Sequence, residues 1–328
     1  MKIYLNIVFI FLVACIPIRN PLFSADYEVI LDNDFSPFMG GQDFILGLKT
    51  LQVVEDAWIV KGDYKTGLRP GILRFSELVL FWDPLNRICA TVQHEFFGHG
   101  YRIRDIGKKY AKVDNYIIGW PFPYSNGGGA TEFRVSDTIT ATQMNAIAIA
   151  GIEAEGILAR QLKMKWIVDH EMDGRSATLY FNTQQALLLY AVGTSEGSKP
   201  FNYPDDGNDL IQFIYWNNLM NPTTSLSKGR LLALSVFNLL DPFSLYVPYA
   251  WWIYAVKGEK VDTPMFKIRG FSYLPNYKLT LAPFGLEHNI ESFFSKGDRP
   301  YYFYVKWGNN GGKYSFGAGF EGSAFRPP

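Results

Sequence analysis

The chain has 328 residues and a formal net charge of +0, with 48% hydrophobic and 19% charged residues. It has no concentrated basic field to hold a nucleic acid, and its charged share falls below the ~25% usual for soluble domains. Two cysteines, Cys15 and Cys89, exclude a disulfide framework and a multi-cysteine metal site.

Lys2 precedes an apolar run from Ile7 to Ala14 that ends at Cys15. Its length and flanks predict a secretory signal peptide over residues 1–14, too short to span a membrane. Leu12-Val13-Ala14-Cys15 also resembles a bacterial lipobox, which would make Cys15 the lipidated first residue of the mature chain. Ordinary cleavage near residue 25 is the rival, and Phe23 sits where that cleavage prefers a small residue. The expected location is outside the cytoplasm, in a bacterial periplasm or outer membrane. Membrane association is expected through the lipid anchor or through the apolar segment at 229–257.

Residues 51–60 fit a strand or a helix equally. Residues 71–84 predict a buried helix that stops before Pro84. A second helix follows, with Asp83 as N-cap and Pro84 in its first turn, running through Leu85, Ile88, Val92 and Phe96 to about His99. Residues 112–120 and 129–135 read as strands joined by a linker containing Gly127, Gly128 and Gly129. A long helix rich in small residues is predicted over 137–164, capped by Ser136 or Asp137. Apolar helices follow over 175–193 and 207–220. Residues 229–257 are the most hydrophobic part of the mature chain. Asp241-Pro242 and Pro248 interrupt them, which favours two buried helices and a turn over a membrane hairpin. From about residue 263 apolar and polar residues alternate. Strands are predicted at 266–273, 277–283, 301–307 and 313–320, as an antiparallel meander.

Chemistry concentrates in His94-Glu95-Phe96-Phe97-Gly98-His99-Gly100. Catalytic zinc takes three imidazole or carboxylate ligands plus water, and a Glu beside the first His can serve as general base. Here the histidines are five apart, and five residues of ideal helix turn ~500°, leaving the side chains ~140° apart. One extra residue in the turn, a π-bulge, would return them to one face, and such bulges are frequent at functional sites. Gly98 and Gly100 make the distortion cheaper.

This segment resembles the dipeptidyl peptidase III family of zinc peptidases, whose motif is His-Glu-x-x-x-His, often with Gly on both sides of the second His. The resemblance implies that His94 and His99 bind Zn2+ and that Glu95 is the catalytic base. It also implies a third ligand, a Glu from a helix some fifty residues on, where Glu153 and Glu155 lie. It covers the seven-residue motif and that spacing alone, so it carries a site arrangement and no substrate class. The motif is also similar to a one-residue-longer form of the His-Glu-x-Gly-His of membrane-embedded zinc proteases. Glu153 and Glu155 are ~200° apart on a helix, so only one can face the metal. Distance from the motif favours Glu153, with Glu155 the competing ligand.

The expected architecture is α+β. A mainly helical, zincin-like metallopeptidase core with a short β-hairpin occupies 26–262, and an antiparallel β-meander occupies 263–328. The expected function is an exported zinc-dependent metallohydrolase, a peptidase acting on a peptide or protein substrate, with Glu95 as general base. His170, His288 and Tyr110 are the candidates for stabilising the oxyanion, although the sequence favours a solvated polar turn for His170 and a loop position for His288. The strand after Gly129 offers an edge to an extended peptide. The rival functions are a non-catalytic envelope or outer-membrane-associated structural protein with a degenerate metal motif, and a membrane-embedded zinc protease.

Overall fold

The computed structural model describes residues 29, 31–58, 67–195, 208–223, 225–297, 299–310 and 312–322. The predicted signal peptide and Cys15 lie outside them. Helix α1 (Pro37–Trp58) takes in residues 51–58, whose pattern fitted strand and helix alike.

Helix α2 (Leu68–Glu77), a π-turn (Leu78–Trp82), α3 (Asp83–Val92), a second π-turn (Gln93–His99) and α4 (Gly100–Ile106) form one continuous helical path. Glu77, Trp82, Val92 and His99, at the four junctions, all keep right-handed helical dihedrals. The expected stop before Pro84 therefore does not occur, and Asp83 caps nothing. A proline inside a helix normally clashes with the carbonyl four residues back. The wider turn ahead of Pro84 relieves this, with the Asp83 N–H donating five residues back to the Leu78 carbonyl.

The hairpin of β1 (Ala111–Ile118) and β2 (Gly129–Val135) follows, antiparallel with a bulge between Val113 and Asn115. Helix α5 (Ala141–Asp169) starts later than expected. Thr140 caps it in a reciprocal box with Gln143, while the Ser136 N–H donates to the Tyr110 carbonyl and so closes the hairpin. The predicted helix over 175–193 is two helices, α6 (Gly174–Gln184) and α7 (Ala186–Gly193), broken at Gln185. The Gln185 amide donates to the Asn238 carbonyl and Ser244 Oγ. Helices α8 (Asp209–Met220) and α9 (Lys228–Ser235), a 3-10 turn (Val236–Leu240) and α10 (Pro242–Lys257) complete the helical part. The segment Lys228–Leu240 meets α10 at a 63° bend, and no single helix among the described residues is long and apolar enough to cross a membrane.

Strand β3 (Glu171–Met172) pairs with β4 (Val261–Asp262). The C-terminal part is a five-stranded antiparallel sheet, ordered β5 (Phe266–Ile268), β6 (Phe271–Ala282), β7 (Gly285–Lys296), β8 (Arg299–Asn310), β9 (Lys313–Gly322). The meander is thus present, with one strand more than the sequence pattern gives. In β7 the inward positions include Glu287, Asn289 and Glu291, so its alternation does not read as apolar against polar. His288, expected in a loop, lies on β7 and stacks on Trp307.

One core joins the two parts. Leu158, Leu162 and Trp166 of α5 pack with Tyr180 of α6 and Phe243 of α10, and the same cluster contains Leu274, Phe293 and Tyr302 of the sheet. Helix α5 is therefore the axis on which the π-turned helix, α8 and the sheet are all placed.

Candidate metal centre

The second π-turn brings the two histidines together. The Gly100 N–H donates to the Glu95 carbonyl, five residues back, and the Nε2 atoms of His94 and His99 stand 3.1 Å apart. The bulged helix expected from the five-residue spacing is what the chain adopts. Close packing holds it against α5. A Cβ on Gly98 would come within 2.7 Å of the Ala150 carbonyl oxygen, and a Cβ on Gly151 would stand 2.2 Å from His94 Nε2. These glycines are needed for close approach. The Gln93 amide, fully buried, donates to the carbonyls of Ala154 and Pro37 and so ties the turn to α5 and α1.

A third donor comes from α8. Asp209 Oδ2 lies 2.9 Å from His94 Nε2 and 3.2 Å from His99 Nε2. His94, His99 and Asp209 are the group able to hold a metal ion among the described residues. Tetrahedral zinc with bonds of ~2.0–2.1 Å sets its ligand atoms about 3.3 Å apart, close to this triangle. The outer ring nitrogens support the same use. His99 Nδ1 is 2.8 Å from the Ile147 carbonyl, and His94 Nδ1 is 3.4 Å from Glu155 Oε2. The Ile147 carbonyl faces His99 Nδ1 and the Glu155 carboxylate faces the Nδ1 edge of His94, so both Nε2 atoms are turned toward Asp209. Two Nε2 atoms with a carboxylate between them call for a positive charge, supplied by a metal ion or, without one, by protons on the imidazoles.

Asp209 is the first residue of α8. Its neighbour Asn208 is the cap, accepting from the Leu210 and Ile211 N–H groups, which leaves the Asp209 carboxylate free to face the histidines. Burial alone would raise its pKa, but His99 and His94 prevail and hold it well below the ordinary range. Burial likewise opposes charge on His94. Glu155 and Asp209 outweigh it and raise His94 well above the usual imidazole range. His99 moves the same way, with Asp209 prevailing over burial. Burial raises Tyr190 well above the ordinary phenol range, and the nearby carboxylates add to that, so its hydroxyl stays protonated. That hydroxyl is 2.9 Å from His94 Nε2, and the two rings stack with a 4° angle between planes.

Glu95 is buried, and its Oε2 accepts from Thr131 Oγ1 at 2.7 Å. Strand β2 therefore lies directly beside it; a Cβ on Gly129 would stand 2.8 Å from Glu95 Cγ.

Glu153 does not join this group. Its carboxylate lies 2.8 Å from Arg102, on the far side of α5. Ile147, Gly151 and Glu155, spaced by four, form the α5 face that meets the histidines, and a residue two away from Gly151 points to the other side. Glu155 sits behind His94 and orients its ring rather than joining the triangle. Of the oxyanion candidates, His170 is an exposed left-handed residue ending α5, and His288 bonds Tyr277 on the sheet. Tyr110 closes the turn before β1, and the phenol beside the triangle is that of Tyr190.

No family model, curated protein or solved structure matches this chain.

Proposed function

We propose that this protein is an exported zinc-dependent metallohydrolase with a zincin-like core, a peptidase that cleaves amide bonds in peptides or proteins. The observation that carries this reading is the convergence of His94, His99 and Asp209 across a π-turn, with Glu95 on the same turn. Zinc in that triangle would polarise a carbonyl and lower the pKa of a water toward ~7. In this reading Glu95, fixed by Thr131, takes a proton from the attacking water and passes it to the leaving amine. The protonated Tyr190 hydroxyl donates to the developing oxyanion. Strand β2, paired only with β1 among the described residues, offers its free edge to an extended peptide.

The test is direct. Protein purified without chelator should hold about one zinc per chain and hydrolyse a peptide library, and chelation should abolish the activity. Glu95→Gln should retain zinc and lose about 10²–10⁴-fold in kcat. A protein that neither carries nor takes up a transition metal would overturn the proposal.

Membrane attachment belongs to the same reading, through lipid on Cys15 or through the apolar segment. A membrane-embedded zinc protease is the second reading, favoured by one observation. Leu245, Tyr249, Trp252 and Val256 form an exposed apolar stripe along α10.

A further inference from the structure

Between α5 and the inner face of the sheet lies a cavity of about 530 Å³. None of His94, His99, Tyr190 and Asp209 lines it, so it is a separate space from the metal centre. Its volume falls in the ~300–1,000 Å³ range of small-molecule sites. Phe38, Ile152, Leu187 and Leu281 give it an apolar wall.

Its charged lining comprises four cations (Arg102, Arg160, Lys278, Lys306) and three carboxylates (Glu153, Glu287, Glu291). Arg102 pairs with Glu153, and Lys306 with Glu287. Both oxygens of Glu291 are taken, one by Tyr302 Oη and one by Asn276 Nδ2, each at 2.7 Å. Arg160 reaches over the Tyr302 ring toward Glu321 of β9. That leaves Lys278, on the inner face of β6. Its Nζ donates to Gln184 Oε1 at 3.0 Å, and no carboxylate lies within ion-pair distance of it among the described residues.

Gln184 is the second half of the feature. It is 3% exposed, and its Nε2 has no acceptor. The lysine can only donate, so it fixes which end of the amide faces it. A buried donor left unsatisfied costs about 1–3 kcal/mol. A ligand oxygen between Nζ and Nε2 would satisfy both. A neutral acceptor would leave the lysine without an ion pair, and a dianion would bring a second charge for which no other lining cation is free, since Arg102, Arg160 and Lys306 each face a carboxylate.

We infer that this cavity binds a small monocarboxylate with an apolar body, its carboxylate held by Lys278 Nζ and Gln184 Nε2 and its tail against Ile152, Leu187 and Leu281. Decanoate is the probe, titrated calorimetrically at pH 7, with decanol as its neutral counterpart and inorganic phosphate as the bare anion. Decanoate should bind, with decanol and phosphate each at least tenfold weaker. Lys278→Met removes the charge at similar volume, and Gln184→Glu supplies an internal carboxylate to the lysine. Each should weaken decanoate at least tenfold and leave decanol unchanged. Absence of decanoate binding at millimolar concentration, equal affinity for decanoate and decanol, or tighter phosphate would overturn the inference. So would unchanged decanoate affinity in the variants. If either variant fails to fold, the decanoate-to-decanol ratio of the native chain decides.

Discussion

At the residue scale the ligand set is the sharpest claim, because three acids lie within reach of the motif and only one completes the triangle. Asp209 touches both Nε2 atoms, Glu155 faces the outer nitrogen of His94, and Glu153 is held by Arg102. Asp209→Ala should therefore abolish stoichiometric zinc. Glu155→Gln should keep the metal but weaken it about 10–100-fold, the usual cost of losing a group that orients a ligand. Glu153→Gln should leave zinc affinity unchanged. Metal titration against a competing chelator separates the three, and zinc loss in Glu153→Gln with retention in Asp209→Ala would reverse the assignment. The histidines and Glu95 were readable from sequence because they sit within one turn of each other. Asp209 was not, since it lies on another helix more than a hundred residues away and no spacing rule links them. The one local hint is that Asn208 already caps α8, so the carboxylate that follows it is not needed for capping.

At the element scale, Asp241-Pro242 reads in the sequence as a mere interruption of an apolar run, yet in the fold it ties three helices. Asp241 caps α10 through the Ser244 N–H, accepts from Tyr180 Oη of α6 at 2.7 Å, and pairs with Lys163 Nζ of α5 at 2.7 Å. The pair is almost wholly buried, at 1% and 0% exposure, and Lys163 Nζ lies 4.6 Å from the Phe293 ring centroid of β7. Removing one member of a buried pair typically costs about 3–5 kcal/mol, because the other charge stays behind. Asp241→Asn should lose stability of that order in denaturant unfolding. Burial alone would raise the Asp241 pKa, but Lys163, Tyr180 and Ser244 prevail and lower it. A carboxylate with a depressed folded pKa stabilises fully above its unfolded value of ~3.9 and loses that contribution as pH falls through the folded value. The native chain should therefore lose stability more steeply below about pH 4 than Asp241→Asn, whose acid limb should be flatter. Periodicity reported the existence of most helices and the meander. It missed β7, where Glu287, Asn289 and Glu291 face inward toward a polar cavity. It also misread Pro84, where a π-turn lets the helix continue.

At the scale of the whole molecule, the distribution of apolar surface bears on where the protein works. Helix α10 buries Phe243, Val247, Ala250 and Tyr254 against the core, which is ordinary for a packed helix. Its other face carries Leu245 at 64% and Trp252 at 62% exposure, with Tyr249 and Val256 between and beyond them. A helix apolar all round belongs in a core or in lipid, and half of this one faces outward. Phe237 and Leu240, in the turn that precedes it, are exposed as well. Each such side chain gains roughly 1.5–3 kcal/mol on leaving water, enough together for reversible attachment to a bilayer surface. The Cys15→Ser chain, which cannot be lipidated at that position, should therefore still co-sediment with phospholipid vesicles. Adding Leu245→Glu and Trp252→Glu should release it while leaving zinc content and thermal midpoint unchanged, because both positions are exposed. If the Cys15→Ser chain stays in the supernatant, the stripe does not hold a membrane, and attachment would rest on the lipid anchor alone.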